Sequence, residues 1–65
     1  MILAKELCGR HVGLILIGYG RGDQIRSVRE EAITMITHKK NGWVLVRTGP
    51  SNAQYAIPGD RAVVL

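Results

Sequence analysis

Residues 55–65 read YAIPGDRAVVL. Pro58, Gly59 and Asp60 form a tight corner: proline presets the backbone, glycine takes the unusual conformation, and aspartate bonds locally. The apolar runs on either side, Tyr55 to Ile57 and Ala62 to Leu65, are strand-length rather than helix-length. The stretch therefore reads as strand, one-turn corner, final strand. Left unpaired, Ala62, Val63, Val64 and Leu65 would be an aggregation-prone edge. The expectation is that this strand is covered, either by barrel closure within the chain or by a neighbouring subunit.

The same punctuation extends backwards. AQYAI (53–57) is the fourth strand and GPSN (49–52) a turn. WVLVRT (43–48) is the third strand, with Val44 and Val46 on one face and Trp43, Leu45 and Arg47 on the other. Asn41-Gly42 before it is a strong hairpin signal, expected to form a type I′ turn with both residues at positive φ. QIRSVREEAITMITHKK (24–40) reads as one long strand, charged first and β-branched later. A strand this long in so small a chain must bend, and the bend is expected between Arg29 and Ala32. GYGRGD (18–23) reads as a connecting loop, with Tyr19 and Arg21 available for ligand contact. HVGLILIGY (11–19) is the first strand, with Val12, Leu14 and Leu16 on one face and Ile15 and Ile17 on the other. Apolar residues on both faces predict burial on both sides. Gly13 leaves room there for a close approach. MILAKEL (1–7) fits either one turn of amphipathic helix stopped by Gly9 or a short alternating strand.

The result is one domain over residues 1–65, all-β, with five antiparallel strands in a small, strongly bent SH3-like barrel. A chain of 65 residues buries only about 60% of its unfolded surface, so it needs an addition to its core. One cysteine, Cys8, excludes an internal disulfide and suits a reducing, cytoplasmic setting. His11, His38 and Cys8 lack the spacing of a metal site, and no cofactor is implied. Oligomerisation is the remaining addition. No apolar run approaches a membrane span or a signal peptide. Nine basic residues against five acidic give a net charge of +4, which favours a polyanionic partner.

On Ile57-Pro58-Gly59-Asp60 and Ala62-Val63-Val64-Leu65 the chain resembles the second signature of Sm-like proteins, where a strand turns through glycine into the last strand. Asn41-Gly42, the segment Gly9-Arg10-His11-Val12 opening a buried first strand, and a short helix before it, on the helical reading of residues 1–7, are similar as well. The chain departs from the family pattern at the bend, where Glu30-Glu31-Ala32 replaces a glycine. It departs near His38-Lys39, where the family has an acidic residue, and at Pro58, where many members carry arginine. The resemblance implies a cytoplasmic ring in which the last strand pairs with the fourth strand of the next subunit, through Tyr55, Ile57, Val63 and Leu65. It also implies that single-stranded RNA is bound by two loops, which map to Lys39, Lys40, Asn41 and Gly42 and to Pro58, Gly59, Asp60 and Arg61.

The residues themselves support part of this. Lys39 and Lys40 can neutralise phosphate, and Trp43 beside them can stack on a base, as can Tyr19 or Tyr55. Two lysines alone are a thin patch, equally suited to a solvated hairpin tip; convergence with Arg61 would strengthen it. The glycines at 18, 20 and 22 lack the spacing and following helix of a phosphate cradle. Arg26, Arg29, Glu30 and Glu31 read as a solvent-facing strand. Neither histidine has a carboxylate partner at useful spacing, and Cys8 reads as a small buried hydrophobe, so no enzyme is expected. The expected function is nucleic-acid binding by a homo-oligomer, RNA before DNA. The alternative is a protein-interaction module docking through Ile15 and Ile17. So short a chain would also suit a compact genome such as that of a bacteriophage or mobile element.

Overall fold

The computed structural model describes residues 1–65, arranged as a six-stranded antiparallel sheet in the order β1-β6-β2-β3-β4-β5. The strands are β1 (Ile2–Leu3), β2 (Ile15–Arg21), β3 (Gln24–His38), β4 (Trp43–Gly49), β5 (Ala53–Pro58) and β6 (Ala62–Val64). The all-β expectation holds, with one strand more than the five expected.

β3 shapes the molecule. A straight strand of its 15 residues would run about 50 Å, yet the protein measures 27 × 27 × 18 Å. The strand bends, and irregular register marks where. Against β2, Leu16 pairs with Glu31 and Gly18 with Ser27, so extra residues of β3 bulge between them. Against β4, Thr34 is the extra residue between Ile33 and Met35. The sequence placed the bend at Arg29–Ala32; the first bulge begins slightly earlier. Ala32 pairs with both Ile15 and Gly49, so the charged half of β3 serves β2 and the β-branched half serves β4.

The folded sheet encloses Ala4, Leu7, Leu16, Ile33, Val44, Val46, Ile57 and Val63. Val44, Val46 and Thr48 alternate inward along β4, as its pattern requires. Thr48 is a fully buried polar residue, and its hydroxyl donates to Glu31 Oε1 at 3.3 Å. Glu31 also accepts from the Ser51 hydroxyl at 2.6 Å and the Ser51 N–H at 3.1 Å. One carboxylate thus ties the bend of β3 to the β4–β5 turn.

Several expectations are corrected. Gly9–His11 is a 3-10 turn rather than the start of a strand, and β2 begins only at Ile15. Val12 and Leu14 are exposed, and Ile15 and Ile17 are 43% and 39% exposed; Leu16 alone of this run is buried. The outer face of β2 has no covering element, so burial on both sides does not occur within the chain. A Cβ on Gly13 would meet nothing within 4 Å; that glycine serves a positive φ of 95° instead. Gly18 to Arg21 is strand, not loop, and only Gly22–Asp23 turns. Gly18 is required because a Cβ there would lie 2.6 Å from the Arg26 carbonyl oxygen across the hairpin. At the amino end both alternatives are partly realised: β1 is a two-residue strand, and Ala4–Glu6 is one 3-10 turn. β6 is not an edge, because it pairs with β1 on one side and β2 on the other.

The Ser51 hydroxyl, then the Ser51 N–H and the Thr48 hydroxyl, hold the Glu31 carboxyl below its ordinary 4.5, with Arg29 adding and desolvation opposing. A depressed carboxylate stabilises the fold above its unfolded value and loses that contribution as pH falls through its folded one. Thermal unfolding should therefore show Glu31→Gln less stable than the parent at neutral pH, with the gap closing as the pH is lowered below 4.5. A gap that persists at low pH would mean the carboxylate charge is not what holds the turn.

Candidate nucleic-acid interface

Two loops expected from the sequence to carry the site meet at one place. The β3–β4 loop, Lys39 to Gly42, is closed by the Gly42 N–H donating to the Lys39 carbonyl at 3.1 Å and the Lys39 N–H donating to the Trp43 carbonyl at 2.8 Å. Asn41 Oδ1 accepts the Trp43 N–H at 3.0 Å, a local bond typical of asparagine in turns. Only Gly42 has positive φ, at 89°. The expected two-residue type I′ turn is therefore a four-residue loop with glycine at its closing position. The second loop is the corner between β5 and β6, where the Arg61 N–H donates to the Pro58 carbonyl at 3.0 Å.

Gly59 is where the loops touch. A Cβ on it would lie 2.5 Å from the Gly42 carbonyl oxygen and 3.3 Å from the Lys5 Cβ. Lys5, on the 3-10 turn after β1, donates its N–H to the Gly59 carbonyl at 3.0 Å. With Arg21 of β2, four chain segments thus wall a shallow groove of about 540 Å³, lined by Lys5, Arg21, Asn41, Gly42, Trp43, Pro58, Gly59, Asp60 and Arg61. Trp43 pairs with Pro58 across β4 and β5 and is 42% exposed. Three cationic side chains share the groove with one carboxylate, and two of them pair with it. Asp60 Oδ2 lies 3.4 Å from Arg21 Nη2, and its Oδ1 forms the 2.5 Å ion pair with Arg61 Nη1.

Of the expected binding residues, Asn41, Gly42, Trp43, Pro58, Gly59, Asp60 and Arg61 line the groove. Lys39 and Lys40 are exposed on the adjoining loop but do not line it. Lys5 was missed, since nothing local in the sequence brings residue 5 to residue 59. The sequence offers Arg21 only as a loop residue available for ligand contact; the strand running on to it from Gly18 carries it to Asp60.

The residues expected at a subunit interface are placed differently from one another. Ile57 and Val63 are fully buried in the protein's own core. Tyr55 is half-buried, its ring edge-on to Tyr19 at 6.0 Å. Leu65 is exposed. Cys8 is free and exposed rather than buried as expected, and its N–H donates to His11 Nδ1 at 3.0 Å. His38 Nε2 donates to the Leu7 carbonyl at 2.7 Å. Both histidines are thus engaged with backbone. No helix is long and apolar enough to cross a membrane.

The loop contact is testable without a ligand. Gly59→Ala should lower the melting temperature and shift the amide resonances of Gly42 and Trp43. Gly9→Ala, where a Cβ meets nothing within 4 Å, should do neither. Unchanged Gly42 and Trp43 signals in the Gly59 variant would show that the loops do not meet.

No protein-family model matches this chain, and no curated protein and no solved structure matches it.

Proposed function

We propose that this protein binds single-stranded nucleic acid, RNA before DNA, in the groove between the β3–β4 loop and the β5–β6 corner. The observation that carries the reading is the convergence of Lys5, Arg21 and Arg61 on one groove beside an exposed Trp43. Lysine and arginine neutralise phosphates and release counterions; an aromatic face stacks a base regardless of its identity. Lys39 and Lys40 extend the positive rim. RNA is placed first on the Sm-like resemblance, which the one-turn corner between β5 and β6 fits. The lone free cysteine suits a cytoplasmic setting.

Self-association belongs to the same proposal, through one of the two strands the resemblance implies, β5, and not through β6. Ring pairing on β6 meets an obstacle, because Ile2 and Leu3 already pair with Val63 and Ala62. β5 is the other end of the sheet. The Trp43 carbonyl bonds towards β3, so Trp43 and its partner Pro58 form a non-bonded pair, and ladder alternation turns the N–H groups of Gln54 and Ala56 outward. AQYAIP carries no charge to discourage pairing there.

A second reading has its own support. Val12, Leu14, Ile15 and Ile17 are all exposed apolar residues near one another in sequence, which suits a module that docks a protein partner.

Fluorescence anisotropy with single-stranded RNA at low salt tests the primary reading. Binding should weaken with salt, and Trp43→Ala should cost about 1–3 kcal/mol. Lys39→Glu with Lys40→Glu should also weaken binding, while docking through the aliphatic face would survive it. No binding to RNA or DNA would sink the reading. Light scattering should give a discrete oligomer that Ala56→Pro reduces to monomer, since proline removes an outward donor while sparing the inner ladder. A parent that is monomeric at all concentrations would refute self-association.

A further inference from the structure

Asp60 is out of place in a groove that takes only phosphate. A carboxylate in its lining repels a phosphate backbone and occupies both Arg21 and Arg61. Its presence calls for a ligand group that donates hydrogen bonds. We propose that the Asp60–Arg61 pair, with Arg21 beside it, reads guanine, and that the groove prefers guanine over the other bases. The inference rests on the nucleic-acid reading above and sharpens it.

The hydrogen-bonding inventory of the groove supports this. The carbonyls of Trp43, Pro58, Gly59 and Arg61 accept backbone N–H groups from Lys39, Arg61, Lys5 and Ala4. Asn41 Oδ1 accepts the Trp43 N–H, leaving its amide nitrogen to donate. Lysine and arginine only donate. Asn41 Oδ1 keeps one further lone pair, and Asp60 is the one lining side chain with two acceptor oxygens, side by side and negatively charged. Each of its oxygens bonds one guanidinium and keeps a second lone pair.

A carboxylate with two free lone pairs matches a base edge carrying two adjacent donors. Guanine offers N1–H and the 2-amino group side by side. Uracil offers one N–H between two carbonyls. Cytosine and adenine each offer an amino group beside a ring-nitrogen acceptor, which would face the carboxylate lone pair against lone pair. On guanine's neighbouring edge O6 and N7 accept, and a guanidinium fork is their usual partner. The ion pairs with Asp60 hold Arg21 and Arg61 beside the carboxylate that would engage N1 and the 2-amino group. Trp43 supplies the stacking face, and Lys5, Lys39 and Lys40 are left for phosphate.

The test compares labelled oligouridine of about ten nucleotides with the same oligomer carrying one central guanosine. The parent should bind the guanosine oligomer about tenfold more tightly, the scale of one good bidentate base contact. Asp60→Asn should abolish that preference while leaving oligouridine affinity equal or higher, because a negative charge has gone. Arg61→Lys, which keeps charge but loses the fork, should also reduce the preference. Guanosine monophosphate should compete for the guanosine oligomer better than uridine monophosphate does. If it binds as tightly as the oligomer, the guanine read is that of a free nucleotide; if far more weakly, that of a strand. A melting curve for each variant establishes that it is folded. Equal affinity of the parent for both oligomers overturns the inference and leaves the nucleic-acid reading standing. An Asp60→Asn variant that loses affinity for both oligomers equally makes Asp60 a structural turn residue and also overturns it. Absence of binding to either oligomer removes the underlying reading itself.

Discussion

The pairing of Ala32 with two partners is the constraint on which the rest depends. Its strand meets Ile15 on one edge and Gly49 on the other, with a bulge on either side of it. That arrangement lets one strand belong to two ladders and lets a six-stranded sheet fold over a core of eight apolar side chains. Without the bend the β4–β5 half would lie flat beside β2, and Ile57 and Val63 would have no common interior. The polar tie at Glu31 holds the turn beyond β4 against the bent segment, so Thr48 is buried without an unsatisfied hydroxyl.

The groove is a by-product of this closure. Bringing β5 round places its corner with β6 against the β3–β4 loop, and the Gly42–Gly59 approach leaves no room for a side chain between them. Arg21, at the far end of β2, reaches the same corner because β2 continues as strand through its glycines. The cations are therefore gathered by topology from three separated parts of the chain, while the carboxylate that organises two of them is next to Arg61 in sequence.

Local signals in the sequence carried much of this architecture. The alternation of Val44 and Val46, the length of the strand before Asn41-Gly42, and the Pro58-Gly59-Asp60 corner all depend on neighbouring residues, and their structural meaning was legible. So was most of the groove, because both loops are marked by turn residues. The misread parts depend on partners distant in sequence. Gly18 looks like loop composition, but it is there because Arg26 crosses close by. The apolar run from Val12 to Ile17 looks buried on both faces, but a six-stranded single layer has only one interior. Nothing near Lys5 announces Gly59, and nothing near Val63 announces Ile2. The positive φ expected at Asn41 is unnecessary because the loop is two residues longer than the shortest hairpin.

The pairing of Ile2 and Leu3 with Val63 and Ala62 closes the largest loop in the chain with the shortest strand in the sheet. Loop-closure entropy grows only slowly with length, by about 0.6 kcal/mol per doubling, so the ladder is affordable, but two residues give it little to resist fraying. Segments held by so few ladder pairs open locally well before the global fold is lost. Lys5 follows β1 directly and forms one wall of the groove. A single local opening there removes the cover of β6 and one wall of the groove together, which links the shape of the groove to the order of residues 2–5.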